Sequence, residues 1–466
     1  MIYKKFYFEN YKGIKDRLEF LIDTKTNKPY CILGNNESGK TTILKGIDFI
    51  GKLCHNHQPT NEEIDNIHKK DSWYTGDVNV GTILAFYKTD IKEEIDQELY
   101  PLLNDENELE LSFFFSYEDS KCKQKTTEIK LNNNVIDLKM HAKIFDIISK
   151  CSQDILYYED FMFSIPKVVR FKKKGANIED KENILNSKTN QEWQKIFSDI
   201  LTGSFNDKSD KLSCKTRSFQ DDVIDFTMED KQSERNIKKT RVAQMGQHLT
   251  KLLNHWIEEH KTDISEVVIE MIDNTQGFVD YTIQVLSKQK EPYKMSERSK
   301  GLQWTFCFNI YTNIRKERHS NGFIFLLDEP ASNLHISLQG KMLKEMENLC
   351  KNKNLVVYST HAPDLIDLEN VDNWYFAKNE AQEMDTETNI SLSKDKADVC
   401  ITWPIIVKLS SDKIMIDDDN STSFEKTIKK LLSVCPAVKN KLLKIFPKIV
   451  ENVATELTTK AITGCI

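Results

Sequence analysis

Three unbroken apolar runs along the chain each lead directly into polar residues with candidate chemistry. The runs cover residues 30–33, 323–327 and 355–358. An unbroken apolar run of this length is typical of a strand in a parallel sheet that is covered on both faces. Since the carboxyl ends of parallel strands meet at one edge, the polar residues that follow are expected to share a crevice there. The pattern predicts an α/β fold.

Runs in which apolar and polar residues alternate predict further strands. Two of them, residues 2–9 and 17–22, precede the first apolar run and are joined by a turn, so they are expected at the edge of a mixed sheet. Residues 154–171 are apolar and aromatic, and we expect them to form one buried strand and turn. The remaining strand-like runs cover residues 80–87, 109–115, 127–131, 267–271 and 281–285.

Apolar residues at three- and four-residue steps between positions 229 and 261 predict an amphipathic helix. They are Ile237, Val242, Met245, Leu249, Leu252, Leu253 and Trp256. No sustained heptad repeat accompanies them, so we expect a short helical arm and not a long coiled coil. The tail predicts two more helical stretches, at residues 424–434 and 439–457. The chain therefore divides into an N-terminal lobe (1–176), a helical arm (177–262), a C-terminal lobe (263–394) and a small helical region (395–466).

Two clusters of basic residues leave two interpretations open. The first comprises Lys167, Arg170, Lys172, Lys173 and Lys174, and the second comprises Arg235, Lys238, Lys239 and Arg241. Basic side chains beside aromatic ones can bind nucleic-acid phosphates and stack on bases. A solvated strand end or helix face explains the same residues.

Composition narrows the class of protein. The chain has 466 residues and a formal net charge of -7, which argues against a protein that coats DNA. Its ten cysteines include no C-x-x-C pair, so neither a zinc spacing nor a disulfide framework is expected. No apolar run approaches the length of a membrane span, and the N-terminus lacks the apolar core of a signal peptide. We therefore expect a cytoplasmic protein that does not enter a membrane.

The first apolar run leads into residues 34–42, which fit the P-loop pattern G-x-x-x-x-G-K-[ST] between a strand and a helix. Glycines allow backbone N–H groups to point at phosphate oxygens, and the helix presents its positive end. Lys40 would reach the β- and γ-phosphates, and the Thr41 hydroxyl would bind Mg²⁺. A plain glycine-rich turn is disfavoured because later segments complete the site. The predicted nucleotide-binding residues are Asn35, Asn36, Glu37, Ser38, Gly39, Lys40, Thr41 and Thr42.

The other two apolar runs end in residues suited to hydrolysis. Asp328 would hold the hydrated Mg²⁺, and Glu329 would act as general base on the attacking water. His361 follows the third run, and we interpret it as a sensor of the γ-phosphate. Ser299 and Gly301 lie at the start of a predicted helix, which suits phosphate binding but equally a plain helix cap.

In this order, the motifs resemble those of the ABC-type ATPase heads of SMC, RecF, RecN and OLD proteins. Residues 8–14 also resemble the start of those heads, and the resemblance covers most of residues 1–390. It implies an ABC-type P-loop ATPase head with a mixed sheet, which binds ATP and Mg²⁺. It further implies that Ser299 and Gly301 reach the γ-phosphate of the opposite protomer in a homodimer or larger assembly, that residues 331–335 form the D-loop, and that His361 is the switch histidine.

Two features separate this chain from the SMC heads. The signature reads Ser-Lys-Gly at Ser299 to Gly301 and not Ser-Gly-Gly, which is similar to the short, OLD-like branch. No Q-loop glutamine can be assigned from the sequence, with Gln124 as one possibility.

Only 71 residues follow Asp395 (466 − 395), and we expect this stretch to be too short for a Toprim nuclease domain.

Within that branch, residues 328–335 and the short arm resemble the stand-alone ATPase subunits of bacterial antiphage systems such as PARIS and Septu. The resemblance implies an ATP-driven sensor or regulator, with a separate nuclease as partner and a phage protein or DNA as trigger. The alternative is a RecF- or RecN-like repair or recombination ATPase that binds DNA directly, for which a steep salt dependence of DNA affinity would be the mark. A structural scaffold with an inactive site is disfavoured because all the motifs are present.

Overall fold

A computed structural model describes most of the chain as far as residue 394. The described residues are 1–23, 25–56, 59, 63–64, 67, 77–91, 99–118, 121–159, 165–173, 180, 182–203, 232–259, 263–274, 277–316, 321–330, 336–351, 353–362, 365–379 and 389–394. The predicted D-loop and the two predicted helices of the tail lie outside these residues.

The described residues form sixteen strands and six α-helices. The strands are β1 (Ile2–Glu9), β2 (Leu18–Leu21), β3 (Tyr30–Leu33), β4 (Val78–Tyr87), β5 (Glu106–Glu118), β6 (Lys121–Leu131), β7 (Asn134–Val135), β8 (Asp154–Tyr158), β9 (Val169–Lys172), β10 (Ile264–Asn274), β11 (Phe278–Ser287), β12 (Pro292–Lys294), β13 (Phe323–Leu327), β14 (Leu355–Thr360), β15 (Trp374–Asn379) and β16 (Ile390–Ser393). The helices are α1 (Lys40–Cys54), α2 (Leu138–Cys151), α3 (Lys188–Gly203), α4 (Gln232–Glu259), α5 (Lys300–Lys316) and α6 (Ile336–Leu349).

The three apolar runs are parallel strands of one sheet, as their pattern predicts. The order is β16-β15-β3-β14-β13-β8, and every neighbouring pair is parallel except β15 and β16. Every residue of β3, β13 and β14 is buried, because helices cover both faces of such a sheet. The carboxyl ends of β3, β14, β13 and β8 therefore lie side by side at one edge.

The strands β1 and β2 do not extend this sheet, so their predicted place at its edge is wrong. They belong to a second, fully antiparallel sheet with the order β2-β1-β4-β5-β6-β7. The register decides this, since β1 pairs with β4 from Ile2 to Glu9. Alternation alone identifies a strand but not its partner.

Helix α1 packs between the two sheets and joins them into one core. A Cβ at Gly46 would lie 2.5 Å from the ring of Phe8 in β1, and a Cβ at Gly51 would lie 2.8 Å from Ile155 in β8. The absent side chains let the helix approach both sheets closely. Ile43, Leu44, Ile47 and Ile50 fill the interior around these contacts, and all four are fully buried. The helix that follows the P-loop is thus held in place on two sides.

The chain divides into two compact units. The first unit takes residues 1–158 together with the described residues from 321 onward, and the second takes residues 159–320. The second unit contains an antiparallel sheet in which β10 and β12 pair with β11, and β9 pairs with the far end of β11. Residues 154–171 therefore do not form the single strand and turn that their composition predicts. They supply β8 to one sheet and β9 to another.

The amphipathic helix predicted over residues 229–261 is present in the second unit as α4. Its buried positions include Val242, Met245 and Leu249, and it packs against β10. The contact is close, because the Val267 N–H donates to the Thr250 hydroxyl at 2.9 Å. At about 1.5 Å per residue, a helix of 28 residues is roughly 42 Å long, which fits a short arm.

Arg170, part of the first basic cluster, is buried and does not present a free charge. Its guanidinium donates to both oxygens of Asp280 at 2.8 and 2.9 Å, to Asp180 at 2.9 Å and to Glu182 at 2.8 Å. Hydrogen bonds to Asp280 raise the pKa of Arg170 above its usual range. Burial opposes the charge on Asp180, but the Leu185 N–H and Arg170 outweigh it and lower the pKa of that carboxyl. For Arg170, nucleic-acid binding is therefore the wrong interpretation.

No helix in the described part of the chain is both long enough and apolar enough to span a membrane.

Replacing Arg170 should destabilise the second unit. Arg170→Met leaves the carboxylates of Asp280 and Asp180 buried without a cation, and we expect a loss of about 3–5 kcal/mol of unfolding free energy. Hydrogen exchange of β9 and β11 peptides and urea unfolding measure it. Lys195→Met is the control, because its ion pair with Glu192 is exposed and contributes less than about 1 kcal/mol. Equal exchange in the two variants would contradict the stabilising role of Arg170.

Candidate nucleotide-binding and hydrolysis site

The P-loop turns sharply between β3 and α1. Glu37 and Gly39 have positive φ angles of 64° and 97°, and the Ser38 N–H donates to the Asn35 carbonyl at 3.2 Å. Gly39 is the N-cap of α1 and has no side chain that could cap it. The N–H groups of the first helical turn therefore receive no cap from that residue, which is the arrangement that binds phosphate oxygens.

The two glycines of the pattern are required by their surroundings. A Cβ at Gly34 would lie 2.2 Å from the Ser38 hydroxyl oxygen and 2.8 Å from the Ala377 carbonyl oxygen. At Gly39, a Cβ would lie 2.5 Å from the side chain of Ile390, and the positive φ angle adds backbone strain for other residues. Strands β15 and β16 thus confine the loop from one side.

The ammonium group of Lys40 lies inside the loop. It donates to the carbonyl oxygens of Gly34 and Asn35, both at 2.9 Å, and lies 3.2 Å from the Glu329 Oε1. The side chain is only 6% exposed. A buried ammonium needs such acceptors, since its transfer from water without them is costly. The P-loop lysine and the carboxylate at the end of β13 are therefore in direct contact.

Asp328 accepts hydrogen bonds from three hydroxyl groups. The Thr41 Oγ1 donates to Oδ2 at 2.7 Å, the Tyr157 hydroxyl donates to the same oxygen at 3.1 Å, and the Ser359 Oγ donates to Oδ1 at 2.6 Å. These donors come from α1, β8 and β14, which shows that four elements meet at this carboxylate.

The pair Thr41 and Asp328 fits a magnesium ion. Two ligands at adjacent corners of an octahedron with Mg–O distances of 2.0–2.1 Å lie roughly 2.9 Å apart. The Thr41 Oγ1 and Asp328 Oδ2 are 2.7 Å apart, and Thr41 is exposed. Mg²⁺ usually takes one or two protein ligands and fills its other positions with water and phosphate oxygens. Hydroxyl and carboxylate oxygens are also the ligand types that it prefers.

The carboxylate of Glu329 contacts Lys40 with one oxygen and His361 with the other. Its Oε1 faces Lys40, and its Oε2 lies 2.8 Å from the His361 Nδ1. The backbone of Glu329 has a positive φ of 48°, which is uncommon for a residue with a Cβ, and its N–H donates to the Ser359 hydroxyl at 2.9 Å. Ser359 therefore holds the main chain of Glu329 and the side chain of Asp328 together.

The structure brings most of the predicted site residues together within the first unit. Lys40, Thr41, Asp328, Glu329 and His361 form one connected set of contacts. Of the other P-loop residues, Asn36 and Glu37 are exposed, Asn35 and Thr42 are half-buried, and Ser38 is buried.

Ser299 and Gly301 belong to the second unit, at the start of α5. The Ser299 side chain is exposed, and its Oγ accepts from the Leu302 N–H at 3.4 Å. The Gly301 carbonyl accepts from the Thr305 hydroxyl at 2.8 Å. Both residues thus have the helix-start geometry that their sequence predicts.

Sequence reasoning missed Tyr157 and assigned no role to Ser359. Ser359 is the first polar residue after the apolar run at residues 355–358. This position is the feature of the sequence that could have identified it as a site residue. Tyr157 is part of an aromatic segment with no motif, and only the parallel register of β8 with β13 places it beside Asp328. Gln124, which the sequence offers as a Q-loop candidate, is exposed on β6, where its amide donates to Thr127 at 3.0 Å.

The fold and the site define a P-loop ATPase domain of mixed α/β structure, which confirms the predicted α/β class. Residues 1–366 match the family model of the AAA ATPase domain. The chain belongs to this ATPase family.

Other known proteins are similar to this chain over parts of its length. An uncharacterized protein of Methanocaldococcus jannaschii is 30% identical over 149 residues, which are 31% of this chain and 38% of that protein. The match thus spans about two fifths of the relative.

Solved structures of SMC heads cover 84–85% of this chain. An SMC head bound to the C-winged helix domain of ScpA shows 11% identity and a TM-score of 0.47 over 98% of its chain. A head with an extended coiled coil, bound to the C-terminal domain of ScpA derived from Pyrococcus furiosus, shows 12% and 0.42 over 96%. The head from Thermotoga maritima shows 12% and 0.37 over 100%.

Loss of the Ser359 hydroxyl should impair hydrolysis without unfolding the protein. Ser359→Ala removes the donor to Asp328 and the acceptor for the Glu329 N–H, so we expect turnover to fall by roughly 10- to 100-fold. Steady-state ATPase assays at saturating Mg²⁺ measure it. Ser112→Ala is the matched control, because this buried serine contacts Tyr7 in the antiparallel sheet. Wild-type turnover in Ser359→Ala would contradict the role of this hydroxyl.

Proposed function

We propose that the chain is an ATP-hydrolysing regulatory subunit that works as a head-to-head homodimer or larger assembly and controls a separate nuclease effector in bacterial antiphage defence. The position of Glu329 carries the hydrolytic part of this proposal. One carboxylate oxygen lies 3.2 Å from the P-loop lysine and the other 2.8 Å from His361. A carboxylate that is oriented on both sides at the end of a parallel strand supports the proposal that Glu329 is the general base.

Lys40 links phosphate binding to the freedom of this base. Its ammonium has three acceptors, two loop carbonyls and Glu329. Phosphate oxygens of ATP would compete with Glu329 for the same ammonium protons, because both are anionic acceptors and the triphosphate carries the larger charge. Substrate binding would thereby release the Glu329 Oε1 to accept a proton from water, while His361 keeps the other oxygen oriented.

Thr41 and Asp328 would hold the magnesium ion, which neutralises charge on the β- and γ-phosphates when it is bound. The N–H groups at the start of α1 and the P-loop residues Asn35 to Thr42 would bind the phosphates. These side chains and backbone groups bind and orient the triphosphate, and Glu329 with His361 acts on the water. We assign phosphate and metal binding to one group of residues and action on water to the other because of the contacts that each residue makes.

A second protomer would complete the site. Ser299 is exposed at the N-terminal end of a helix, so its hydroxyl and the nearby N–H groups can receive a phosphate from another molecule. The resemblance to ABC-type heads, in which two heads sandwich the nucleotide, supports this role for Ser299 and Gly301. We propose that hydrolysis requires this closed assembly, so that the ATP cycle changes the shape of an oligomer.

The regulatory part of the proposal rests on the resemblance to the PARIS and Septu ATPase subunits, together with the length of α4. A 28-residue helix is far too short for a long tether between distant DNA sites. An arm of this size suits contacts with a partner subunit, and a phage protein or DNA would be the trigger. Hydrolysis of ATP to ADP and phosphate would drive a conformational change that releases the effector.

Complementation tests the two-protomer site. Lys40→Ala and Ser299→Arg should each abolish hydrolysis. Lys40→Ala removes the side chain that binds phosphate, and Ser299→Arg places a large side chain where the phosphate of the other protomer would bind. After the two variants are mixed and allowed to exchange subunits, half of the dimers carry one intact site, so about a quarter of wild-type activity should return. Glu347→Gln mixed with Lys40→Ala is the control, because Glu347 pairs with Lys28 away from the site. No recovery in exchanged Lys40→Ala/Ser299→Arg dimers would contradict a shared site.

Affinity purification from the native host tests the partner. Glu329→Gln should bind ATP but hydrolyse it at least about 10²-fold more slowly, whereas Lys40→Ala should not bind it. Mass spectrometry of both, with and without nuclease treatment, should show a stoichiometric protein partner that survives digestion and depends on the variant. Recovery of nucleic acid alone, without a protein, would overturn the regulatory proposal. Wild-type hydrolysis by Glu329→Gln would overturn the assignment of the base.

A further inference from the structure

We propose that Tyr157 is a positioning residue for the carboxylate of Asp328, and that its phenol sets the affinity of the site for Mg²⁺. This rests on the proposed function of the same site. The phenol donates to the Asp328 Oδ2 at 3.1 Å, and the Thr41 hydroxyl donates to that oxygen at 2.7 Å. Tyr157 thus contacts the oxygen that lies nearest to the predicted metal ligand on α1.

The main chain fixes the place of Tyr157. Strand β8 runs parallel to β13 with Tyr157 opposite Leu326 and Tyr158 opposite Leu327. The pairing continues past the strand, because the Asp328 N–H donates to the Tyr158 carbonyl at 3.1 Å. Tyr157, which donates the hydrogen bond, and Asp328, which accepts it, therefore belong to one continuous ladder of paired main chains.

The ring of Tyr157 is also held from the side of α1. The Lys45 ammonium lies 5.7 Å from the ring centroid, within the range of a cation–π contact. Lys45 follows Thr41 by four residues, so both side chains lie on the same face of the helix. Tyr157 therefore contacts the face of α1 that also supplies the magnesium ligand.

Three hydroxyl donors leave the Asp328 carboxylate little freedom to rotate. A carboxylate oxygen has about two lone-pair directions, and at Oδ2 they are used by Thr41 and Tyr157. A cation that takes the Thr41 direction leaves the phenol donor in place. Tyr157 would thus hold Asp328 in the same orientation before and after the metal binds, which lowers the cost of binding it.

The test is a titration of Mg²⁺ against binding of a fluorescent, non-hydrolysable ATP analogue to the full chain. In Tyr157→Phe the half-saturating Mg²⁺ concentration should rise roughly 10-fold, because the oriented carboxylate loses one donor. Analogue affinity in EDTA should stay unchanged, which also shows that the variant is folded. Tyr7→Phe is the matched control, since its phenol contacts Ser112 in the antiparallel sheet.

A donor at position 157 should recover part of the loss. Tyr157→His keeps a ring N–H, and its Mg²⁺ requirement should lie between those of wild type and Tyr157→Phe. Wild-type behaviour of Tyr157→Phe, or equal losses in both variants, would overturn the positioning role while the proposed ATPase stands. If the wild-type chain binds no analogue, or binds it without Mg²⁺ dependence, the proposed function fails as well.

Discussion

The parallel register of four strands is the constraint on which the site depends. Strands β3, β14, β13 and β8 end at the same edge of one sheet, and their last residues or those just beyond supply the P-loop, Ser359, the Asp328–Glu329 pair and Tyr157. Shifting any of these strands by one residue would turn its side chains to the opposite face. The strands β3, β13 and β14 are buried throughout, so packing fixes their register, and the positions of the polar groups at their ends follow from it.

Helix α1 connects the parallel sheet to the antiparallel sheet of the first unit. It begins at the P-loop and ends between the two sheets, where Gly46 and Gly51 let Phe8 and Ile155 approach its backbone. A helix held on both sides cannot tilt without opening one of the interfaces, because interiors are close-packed. The antiparallel sheet contributes no residue to the set of contacts around Asp328 and Glu329. It packs against the P-loop helix and thereby keeps that helix aligned.

Sequence patterns predicted the parts of the site that lie within single segments. The P-loop, the Asp328–Glu329 pair and His361 each follow their own apolar run, so local order was enough to find them. Partners were harder to predict: β1 and β2 alternate as strands do, but only pairing with β4 assigned them to their sheet. Tyr157 meets Asp328 across 171 positions, and Arg170 meets Asp280 across 110, so neither contact leaves a local signal.

The two partners of Glu329 differ in their access to solvent, and this gives the site a direction. Lys40 is 6% exposed and lies at the closed side of the carboxylate, whereas His361 is 54% exposed and lies at the open side. In the proposed mechanism, a proton that Glu329 takes from water would have a solvent-exposed acceptor in the imidazole ring of His361 and none in the buried ammonium of Lys40. His361 would then have two tasks in the proposed ATPase: it would orient the base, and it would carry the proton to solvent before the next turnover.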